Sequence, residues 1–449
     1  MNAPAGPDRL LQGWGRTTGS RSRVVGPLAP DALRDLVAGR PERGLLARGA
    51  GRSYGDAAQN ADGLVLAPAT GPRIEPDTAA ATVRATGSTT FAELLAALVP
   101  HGLLLPVLPG TRHLTVGGAV AADVHGKNQR ADGSLSHWLE SVELLGGDGE
   151  LHTLGADRDG PAFRATVGGM GLTGVVLAAT LRLVRIRSTL LRVGSYRAPD
   201  LDALMALLDT ATSRYAVAWI DTTATGRSLG RGVADLGDHL TAPDPAAEPD
   251  GLRYGPARAP RAPQLPLGVF TPLTARAFNS LWYRKAPRER HALQGLPEFF
   301  HRLDALHEWN RALGPRGFLQ YQFVVPPQAR HVVVQVLEAL HRAGAAPFLG
   351  TLKRFGPAGG GPLSFPLPGW SLAVDMPAGR RGTGGLLERL DRLVAEAGGR
   401  VYLAKDARLG RAAFDAMYGP LDDWRATRAR LDPAEAMRSD LGRRLGLCR

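Results

Sequence analysis

The chain has 449 residues, 44% of them hydrophobic, which is enough for two or three domains with well-developed cores. It has no apolar run near the ~20 residues of a membrane-spanning helix and no early stretch typical of a signal peptide, and its one cysteine, Cys448, excludes internal disulfides and metal sites built on several thiolates. The formal charge of +12 comes from scattered Arg and Lys residues without a basic run, so it favours an anionic membrane surface or a phosphate-bearing substrate over nucleic acid, unless it reflects composition alone.

The first part of the chain is predicted to alternate short strands and helices. Residues 1–23 have no periodicity and are expected to form an irregular lead-in, whereas residues 30–37 begin with Pro and Asp, as helices commonly do. Residues 64–66 and 81–85 are predicted strands. Thr90 and Glu93 have the spacing of a capping box ahead of an apolar helix. The alternation ends near residue 184 and predicts α/β or α+β packing.

Three segments rich in glycine and small residues interrupt this region. Residues 47–56 (ARGAGRSYGD) follow a predicted short strand at Leu45 and Leu46, residues 109–128 end in a His, a Lys and an Asn, and residues 166–175 repeat the pattern. Glycine allows positive φ and close approach of a ligand, and consecutive backbone N–H groups can hold a phosphate. One such loop is weak evidence, but three within ~130 residues indicate an extended ligand held by backbone.

The middle of the chain begins near residue 190. Residues 201–211 are a predicted amphipathic helix and residues 215–220 a predicted strand. Residues 242–266 are rich in Pro, Ala and Gly, so we expect a mobile loop. Residues 318–325 alternate apolar with polar side chains, which predicts a strand carrying two amides, Gln320 and Gln322, on one face.

Two helices and a strand are predicted after that. Residues 332–341 and 386–397 have helical periodicity, and the second helix is expected to stop at the two glycines that follow it. A strand over residues 400–404 would then carry Lys405 at its end.

The order of these segments resembles the FAD-binding domain of the vanillyl-alcohol-oxidase-like flavoproteins, a PCMH-type domain. The similarity is greatest to the branch that oxidises polyprenylphosphoryl ribose, and it extends almost end to end through residues 281–285, 308–311, 317–323, 362–366 and 402–406. It implies an α+β fold with three parts. They are an FAD-binding domain over residues 1–190, a substrate-binding domain with an antiparallel sheet and helices over residues 191–398, and a C-terminal segment over residues 399–449 that returns to the FAD domain.

The resemblance implies FAD as the cofactor. Relatives with covalent flavin carry a His at the position of Arg52, and arginine cannot form that bond. His125 could be another attachment point in principle, but the most similar branch keeps its flavin noncovalent, so dissociable FAD is expected. The residues expected to bind FAD are Ala47, Arg48, Gly49, Ala50, Gly51, Arg52, Ser53, Tyr54, Gly55, Asp56, Ala57, Gly110, Thr115, Val116, Gly117, Gly118, Ala122, Asp123, Val124, His125, Val175 and Tyr402.

Two residues are expected to be catalytic. The resemblance places Lys405 near the pyrimidine edge of the flavin and the substrate, where a cation would stabilise the anionic reduced ring; the alternative is an ion pair with Asp406. It places His125 by the isoalloxazine, against the alternative of a structural hydrogen-bonding residue.

The substrate pocket implied by the resemblance contains amides, which suit sugar hydroxyls because they both donate and accept. Mycobacterial members carry Asn and Cys at the positions of Ser371 and Ala373, so pocket detail differs here. The residues expected to bind the substrate are Lys127, Trp219, Asn310, Gln320, Gln322, Lys353, Ser371, Ala373 and Lys405.

The expected reaction is oxidation of the ribose 2-hydroxyl of a polyprenylphosphoryl ribofuranose to the 2-keto sugar. It is the first half of an epimerisation that supplies the arabinose donor for actinobacterial cell-wall arabinan. The electrons would pass to oxygen, a quinone or another acceptor, and a separate short-chain NAD(P)-dependent reductase would complete the epimerisation. No second nucleotide fingerprint is present, so no nicotinamide site is expected, and no metal site is predicted. The sequence leaves the catalytic base open.

The absence of a membrane-spanning stretch, the charge of +12 and the expected lipid substrate together predict peripheral association with a membrane. Two alternatives remain open at this point. One is an FAD-dependent oxidase of another sugar alcohol or aldonolactone, which a closed polar pocket would favour and a lipid groove would oppose. The other is a basic membrane-surface or nucleotide-binding scaffold without catalytic activity.

Overall fold

The structure is a computed structural model that describes residues 6–39, 41–68, 71–157, 159–243, 251–255, 258–266, 268 and 271–449. Helices and mainly antiparallel sheets occur along the same chain, so the predicted α+β class is confirmed. Within these ranges no helix combines the length and the apolar character needed to cross a bilayer.

The N-terminal sheet has four short strands in the spatial order β1–β2–β4–β3. The first two pair antiparallel, and the other neighbours are parallel. The expectation of an irregular lead-in is therefore wrong, because residues 8–25 pair through backbone hydrogen bonds although their side chains are mostly polar and exposed. The strands are β1 (Asp8–Gln12), β2 (Gly19–Val25), β3 (Leu45–Ala47) and β4 (Leu64–Leu66).

A second, antiparallel sheet has the order β5–β6–β10–β8–β9, and a strand pair, β7 with β11, lies beside it. Helix α2 (Phe91–Leu98) begins at the predicted capping box: the Thr90 hydroxyl accepts from the Glu93 N–H, and the Glu93 carboxylate accepts from the Thr90 N–H. The strands are β5 (Ile74–Asp77), β6 (Thr82–Thr86), β7 (Leu103–Leu104), β8 (Leu139–Gly146), β9 (Leu151–Gly155), β10 (Gly174–Arg182) and β11 (Val184–Arg185).

An eight-stranded antiparallel sheet forms the middle of the chain, in the order β15–β12–β14–β13–β17–β18–β16–β19. Its apolar residues belong to the same buried cluster as those of the second sheet, so one core runs between the two. The strands are β12 (Leu190–Ala198), β13 (Tyr215–Ile220), β14 (Gly232–His239), β15 (Glu289–Gly295), β16 (Phe318–Val325), β17 (Leu349–Phe355), β18 (Gly369–Pro377) and β19 (Arg400–Val401).

The described helices pack against these sheets. Helix α6 contacts β12, β13, β14 and β17, and α10 contacts β16 and β19. The helices are α1 (Pro30–Ala38), α2 (Phe91–Leu98), α3 (Val116–Ala121), α4 (Gln129–Asp132), α5 (Gly160–Thr166), α6 (Leu201–Asp209), α7 (Pro272–Lys285), α8 (Leu296–Phe300), α9 (His331–Arg342), α10 (Thr383–Glu396), α11 (Arg411–Tyr418), α12 (Asp422–Leu431) and α13 (Asp440–Leu445).

The C-terminal helices lie against the segment that contains Ala165 and Leu172. The Trp424 indole N–H donates to the carbonyl of Ala165 over 3.0 Å, and the Arg428 guanidinium donates to the carbonyl of Leu172 over 2.9 Å. The domain boundaries expected at residues 190 and 398 stay a prediction.

Most predicted elements are confirmed with shifts of a few residues, including α1, α6, α9, α10, β4, β6, β13 and β16. One is corrected: the strand expected over residues 400–404 is only β19, because the backbone turns at Tyr402 and both the Lys405 and Asp406 N–H groups donate to the Tyr402 carbonyl. Lys405 therefore lies in a tight turn. The expected mobile loop includes residues 244–250 and 256–257, which lie outside the described residues.

Candidate active site

A cavity of about 1220 Å³ lies between the glycine-rich loops and the eight-stranded sheet. Its walls are the loop after β3, the start of α3, part of β10, and the facing residues of β13, β16, β17 and β18. Pockets for a single small molecule occupy about 300–1,000 Å³. This cavity therefore has room for an extended cofactor together with a substrate.

Most residues predicted to bind a cofactor or substrate line this one cavity. They are Ala47, Arg48, Gly49, Ala50, Gly51, Arg52, Ser53, Tyr54, Ala57, Gly110, Thr115, Gly117, Gly118, Ala122, Val124, His125, Val175 and Tyr402, together with Lys127, Trp219, Gln320, Gln322, Lys353, Ser371, Ala373 and Lys405.

Five predicted site residues lie behind the wall. Val116 is in the core, and Asp123 is buried, where its carboxylate accepts hydrogen bonds from serine hydroxyls and backbone N–H groups. Gly55 packs against the backbone of the Lys405 turn, and Asp56 is paired with Arg444. The Asn310 side chain donates to the Trp14 carbonyl over 2.9 Å, away from the cavity.

The first glycine-rich loop is pressed against the start of α3. A Cβ on Gly49 would lie 2.2 Å from the Thr115 hydroxyl oxygen, which caps α3 by accepting from the Gly118 N–H. Gly51 has a φ of +63°, in the region that side chains disfavour. The cavity wall here is backbone and small side chains, which fits the close approach of a cofactor diphosphate.

Arg52 points along the cavity towards a tryptophan. Its guanidinium lies 4.2 Å from the centre of the Trp14 ring, and its Nε donates to the His113 carbonyl over 3.2 Å. Burial lowers the pKa of Arg52, and Asp304 partly opposes that shift. Within the described part of the chain Arg52 forms no ion pair, and its guanidinium faces the cavity and the indole.

Lys405 and Tyr54 join the first loop to the C-terminal turn. The Lys405 ammonium lies 3.7 Å from the centre of the Tyr54 ring, and the Tyr54 N–H donates to the Ala404 carbonyl over 2.9 Å. The predicted alternative, an ion pair of Lys405 with Asp406, is not formed. Asp406 instead pairs with Arg444 at 2.9 Å.

A buried carboxylate faces Lys405. Asp375 on β18 accepts a hydrogen bond of 2.7 Å from the Gln320 amide on β16. Burial raises the pKa of Asp375, and the positive charge of Lys405 partly offsets that rise. Burial lowers the pKa of Lys405, and Asp375 opposes that fall. The two groups form an electrostatically coupled acid–base pair on the wall of the cavity.

His125 lies in an aromatic box at the same end of the cavity. Its ring is 4.9 Å from Phe355, 5.6 Å from Phe365 and 5.3 Å from Tyr402, measured between ring centres. Its Nε2 lies 3.2 Å from the Gln322 amide nitrogen, which can only donate, so the imidazole accepts there and carries its proton on Nδ1. Burial, followed by Lys353 and Lys405, lowers the pKa of His125 well below its ordinary value, so the ring is neutral.

Two further lysines line the cavity. Burial lowers the pKa of Lys353 to about 8, and its ammonium donates to the Gly126 carbonyl over 3.3 Å. Burial, with the nearby charge of Arg302, lowers the pKa of Lys127 to about 7. The Lys127 ammonium donates to the Phe299 carbonyl and lies 4.0 Å from the centre of the Phe299 ring. Three lysines therefore face one cavity.

Comparison with known proteins identifies the part of the chain that contains the first two glycine-rich segments as a cofactor-binding domain. Residues 22–155 match the family model of the FAD binding domain. The decaprenylphosphoryl-β-D-ribose oxidase of Mycolicibacterium smegmatis (strain ATCC 700084 / mc(2)155) is 39% identical over 450 residues, covering 98% of each chain. The chain belongs to this family of flavoproteins. It is an FAD-dependent oxidoreductase, as the resemblance implied.

Two other relatives are similar to smaller parts of this chain. An uncharacterised protein of Streptomyces coelicolor is 43% identical over 374 residues, which cover 80% of this chain and all of that protein. The alditol oxidase of Streptomyces sp. (strain IKD472 / FERM P-14339) is 34% identical over 172 residues, which cover 38% of this chain and 40% of that protein. The similarity to the ribose oxidase thus extends through the eight-stranded sheet, whereas that to the alditol oxidase spans a minority of either chain.

The structure places in the cavity several residues that the sequence analysis missed. Asp375 lies on the strand that carries Ser371 and Ala373, and the two-residue period of a strand puts all three on one face. That period was the signal that could have found it. Asp235, Arg302 and Trp14 also line the cavity, but they lie far from the glycine-rich segments in sequence and carried no motif.

A half-buried arginine, Arg444, links the two segments that carry Tyr54 and Lys405. The Arg444 guanidinium donates to both carboxylate oxygens of Asp56 at 2.8 and 2.7 Å and pairs with Asp406 at 2.9 Å. Asp56 ends the first glycine-rich loop and Asp406 follows Lys405. The C-terminal helix α13 therefore fixes the cofactor loop and the Lys405 turn relative to one another.

Proposed function

We propose that this protein oxidises the ribose 2-hydroxyl of a polyprenylphosphoryl-β-D-ribofuranose to the 2-keto sugar with FAD as cofactor. The observation that carries the proposal is the grouping of Lys405, Asp375 and Gln320 at the sheet side of a cavity whose other wall is built from glycine-rich loops. Near end-to-end similarity to a decaprenylphosphoryl-β-D-ribose oxidase supports the choice of substrate.

When bound, FAD supplies the acceptor for the hydride that leaves carbon 2 of the ribose. Lys405 contributes a positive charge beside the cavity, and a fixed charge in a site sheltered from water stabilises negative charge that develops during the reaction. The Tyr54 ring contacts the Lys405 ammonium, and the negative charge of Asp375 favours the charged form of this lysine.

We assign Asp375 as the base that accepts the proton of the sugar hydroxyl. Burial raises the pKa of this carboxyl group, which makes its carboxylate a stronger base than an ordinary aspartate. Gln320 donates to Oδ1 and leaves Oδ2 available for the substrate. His125 is less suited, because its Nε2 lone pair is engaged by the Gln322 amide.

The other pocket residues suit the remaining sugar hydroxyls. Gln322 lies next to Ser371 at 3.4 Å, and each can donate and accept hydrogen bonds. Ala373 pairs with Gln322 across β16 and β18 and keeps this wall small. A ribose bound here would contact amide, hydroxyl and ammonium groups without displacing a bulky side chain.

We propose that FAD is bound noncovalently. Arg52 occupies the place where relatives with covalent flavin carry histidine, and its guanidinium cannot form that bond. The part of the cavity wall that the structure describes contains no cysteine.

Peripheral membrane association is a further part of the proposal. Helix α7 exposes four large apolar side chains, Leu273 (77% exposed), Leu281 (68%), Trp282 (49%) and Phe278 (45%). Arg276, Arg284 and Lys285 are exposed on the same helix and would attract anionic lipid headgroups. Phe278 and Trp282 also line the cavity, so a membrane at this face would meet the entrance used by a lipid substrate.

A short-chain NAD(P)-dependent reductase is the partner that the proposed chemistry calls for, since a 2-keto sugar must be reduced from the other face to complete an epimerisation. The competing proposal, oxidation of a free alditol or aldonolactone, rests on a similarity that covers 38% of this chain. The apolar entrance at Phe278 and Trp282 favours a lipid-linked sugar over a free one.

The test of the reaction is the position of the new carbonyl group. Farnesylphosphoryl ribose is incubated with the protein and quenched with sodium borodeuteride. Deuterium at carbon 2 of both ribose and arabinose products is the expected result. Deuterium at another carbon, or none, would overturn the assignment.

A further inference from the structure

A second cavity of about 940 Å³ opens beside the first. Four residues, Trp219, Asp235, Trp282 and Arg302, line both, so the two cavities meet there. The walls of the second cavity include apolar residues, among them Val233, Pro287 and Pro297. They also include charged residues, of which Asp235 and Arg302 lie where the cavities meet and Arg112, Arg258, Lys285, Arg290, Glu298 and Asp304 lie elsewhere along the wall.

The junction carries an excess of positive charge that the described residues do not neutralise. Lys127 and Arg302 are close enough for each to affect the other, since Arg302 helps to lower the pKa of Lys127. Among the described residues, the only carboxylate that counters Lys127 is Asp235, and it already pairs with Arg302 at 3.1 Å and accepts from the Ser195 hydroxyl at 2.6 Å. Two cations share one carboxylate.

His301 adds an unsatisfied polar group at the same place. It is buried, it lines the second cavity, and neither ring nitrogen has a hydrogen-bond partner among the described residues. Burial, with Arg112 and Lys127 nearby, lowers the pKa of His301 to about 3, so the ring is neutral and offers one N–H donor. A buried donor without a partner is costly unless a ligand supplies the acceptor.

The local backbone explains why these groups meet. Helix α8 ends at Phe300, and the next two residues are His301 and Arg302. The Phe299 carbonyl accepts from the Lys127 ammonium, which brings the end of the second glycine-rich segment to the end of α8. An ammonium, an imidazole N–H and a guanidinium thus converge from two distant parts of the chain.

We propose that Lys127, His301 and Arg302 bind the phosphodiester of a prenylphosphoryl sugar, and that the first prenyl units lie in the second cavity. This inference rests on the proposed function and adds to it the route of the lipid. Arginine suits a phosphate because its planar N–H groups match two oxygens at once. The sugar would then extend from the junction into the first cavity, towards Lys405, and the chain would run the other way past Trp219 and Trp282.

The test measures binding to the oxidised, FAD-loaded protein without turnover. Farnesyl phosphate, farnesol and inorganic phosphate are titrated by isothermal calorimetry into the unmodified protein and into Arg302→Gln, His301→Gln and Arg342→Gln. Arg342 lies on α9, is exposed and lines neither cavity, so its variant is the matched control.

Farnesyl phosphate is expected to bind the unmodified protein and the control equally, and to bind Arg302→Gln and His301→Gln roughly 10- to 100-fold more weakly, the range for hydrogen bonds to a charged group. Farnesol, which has no phosphate, should bind weakly and with the same affinity to the unmodified protein and to Arg302→Gln. Equal affinity of inorganic phosphate and farnesyl phosphate would overturn the prenyl part. Unchanged affinity of Arg302→Gln for farnesyl phosphate would overturn the phosphate part.

A second variant tests the chain site separately. Val233→Phe narrows the second cavity from the side of β14. It should therefore weaken the binding of farnesyl phosphate and leave the binding of dimethylallyl phosphate, which has a single prenyl unit, unchanged. Equal effects on both ligands would contradict a chain site there. If farnesylphosphoryl ribose reduces the flavin but the variants bind farnesyl phosphate as tightly as the unmodified protein does, the inference about the lipid route fails and the proposed function stands. If farnesylphosphoryl ribose does not reduce the flavin, the proposed function fails.

Discussion

The Lys405 ammonium lies 3.7 Å from the centre of the Tyr54 ring. This contact joins the first glycine-rich loop to the turn after β19, two segments separated by most of the chain. A backbone hydrogen bond from Tyr54 to the Ala404 carbonyl reinforces it. The site is therefore assembled only when the C-terminal segment has packed against the N-terminal one.

Lys405→Met should slow reduction of bound FAD by substrate about 10²- to 10³-fold, the usual cost of removing one electrostatic contact at the reacting centre. The methionine fills similar volume without the charge, so FAD content and thermal stability should stay close to normal. Anaerobic stopped-flow absorbance measures the rate. Arg389→Met, which removes an exposed cation on α10, is the control, and an Lys405→Met rate equal to that of the control would sink the assignment.

FAD should leave the protein completely on acid precipitation. The reason is that the guanidinium of Arg52 cannot form the covalent bond that a histidine at this place forms with the flavin. Absorbance of the supernatant and of the redissolved pellet measures the partition. Yellow colour that stays with the pellet would contradict noncovalent binding.

Binding of farnesyl phosphate should take up protons near pH 8. Burial, with the charge of Arg302, lowers the pKa of Lys127 to about 7, so much of this lysine is neutral at pH 8 in the free protein. An anion beside it favours the charged form and raises its pKa, so binding recruits a proton and affinity falls as pH rises above about 7. Below about pH 6 Lys127 is already charged, so its share of the proton uptake should vanish, and the remaining pH dependence would come from the ligand phosphate, whose second pKa is about 6.

Calorimetry in two buffers with different ionisation enthalpies counts those protons. Lys127→Gln should bind more weakly and take up fewer protons at pH 8 than the unmodified protein. Equal proton uptake by both would show that the phosphate does not bind next to Lys127.

Helix α7 should attach the protein to anionic vesicles. Leu281→Glu places a negative charge on the exposed apolar face and should abolish flotation with vesicles that contain phosphatidylglycerol, while Leu10→Glu, at an equally exposed leucine on β1, should leave it intact. High salt should release the unmodified protein, because part of the attraction is electrostatic. Binding that survives Leu281→Glu would rule out α7 as the contact.

The sequence was informative where the signal is local. The Thr90–Glu93 capping box and the start of α2 follow from four residues, and the alternation of Leu319, Tyr321 and Phe323 with Gln320 and Gln322 was enough to predict β16. Both patterns depend only on neighbours in the chain, so tertiary packing did not need to be known.

Other features depend on distant partners and were missed. Residues 8–12 look irregular because their side chains are exposed, yet they pair with β2 through backbone groups that any residue supplies. Asp375 looks like a stray acid on an apolar strand until Gln320 and Lys405 are brought beside it. Asn310 carries an amide of the expected kind, but the fold turns it towards the Trp14 carbonyl.

The central claim is tested most directly by anaerobic bleaching of the flavin absorbance with a panel of alcohols. The panel is farnesylphosphoryl ribose, free ribose, an alditol and an aldonolactone, each mixed with the FAD-loaded protein in the absence of oxygen. Rapid and complete bleaching by farnesylphosphoryl ribose, with little by the free sugars at the same concentration, is the result predicted here. Rapid bleaching by the alditol or the aldonolactone, with none by farnesylphosphoryl ribose, would contradict it.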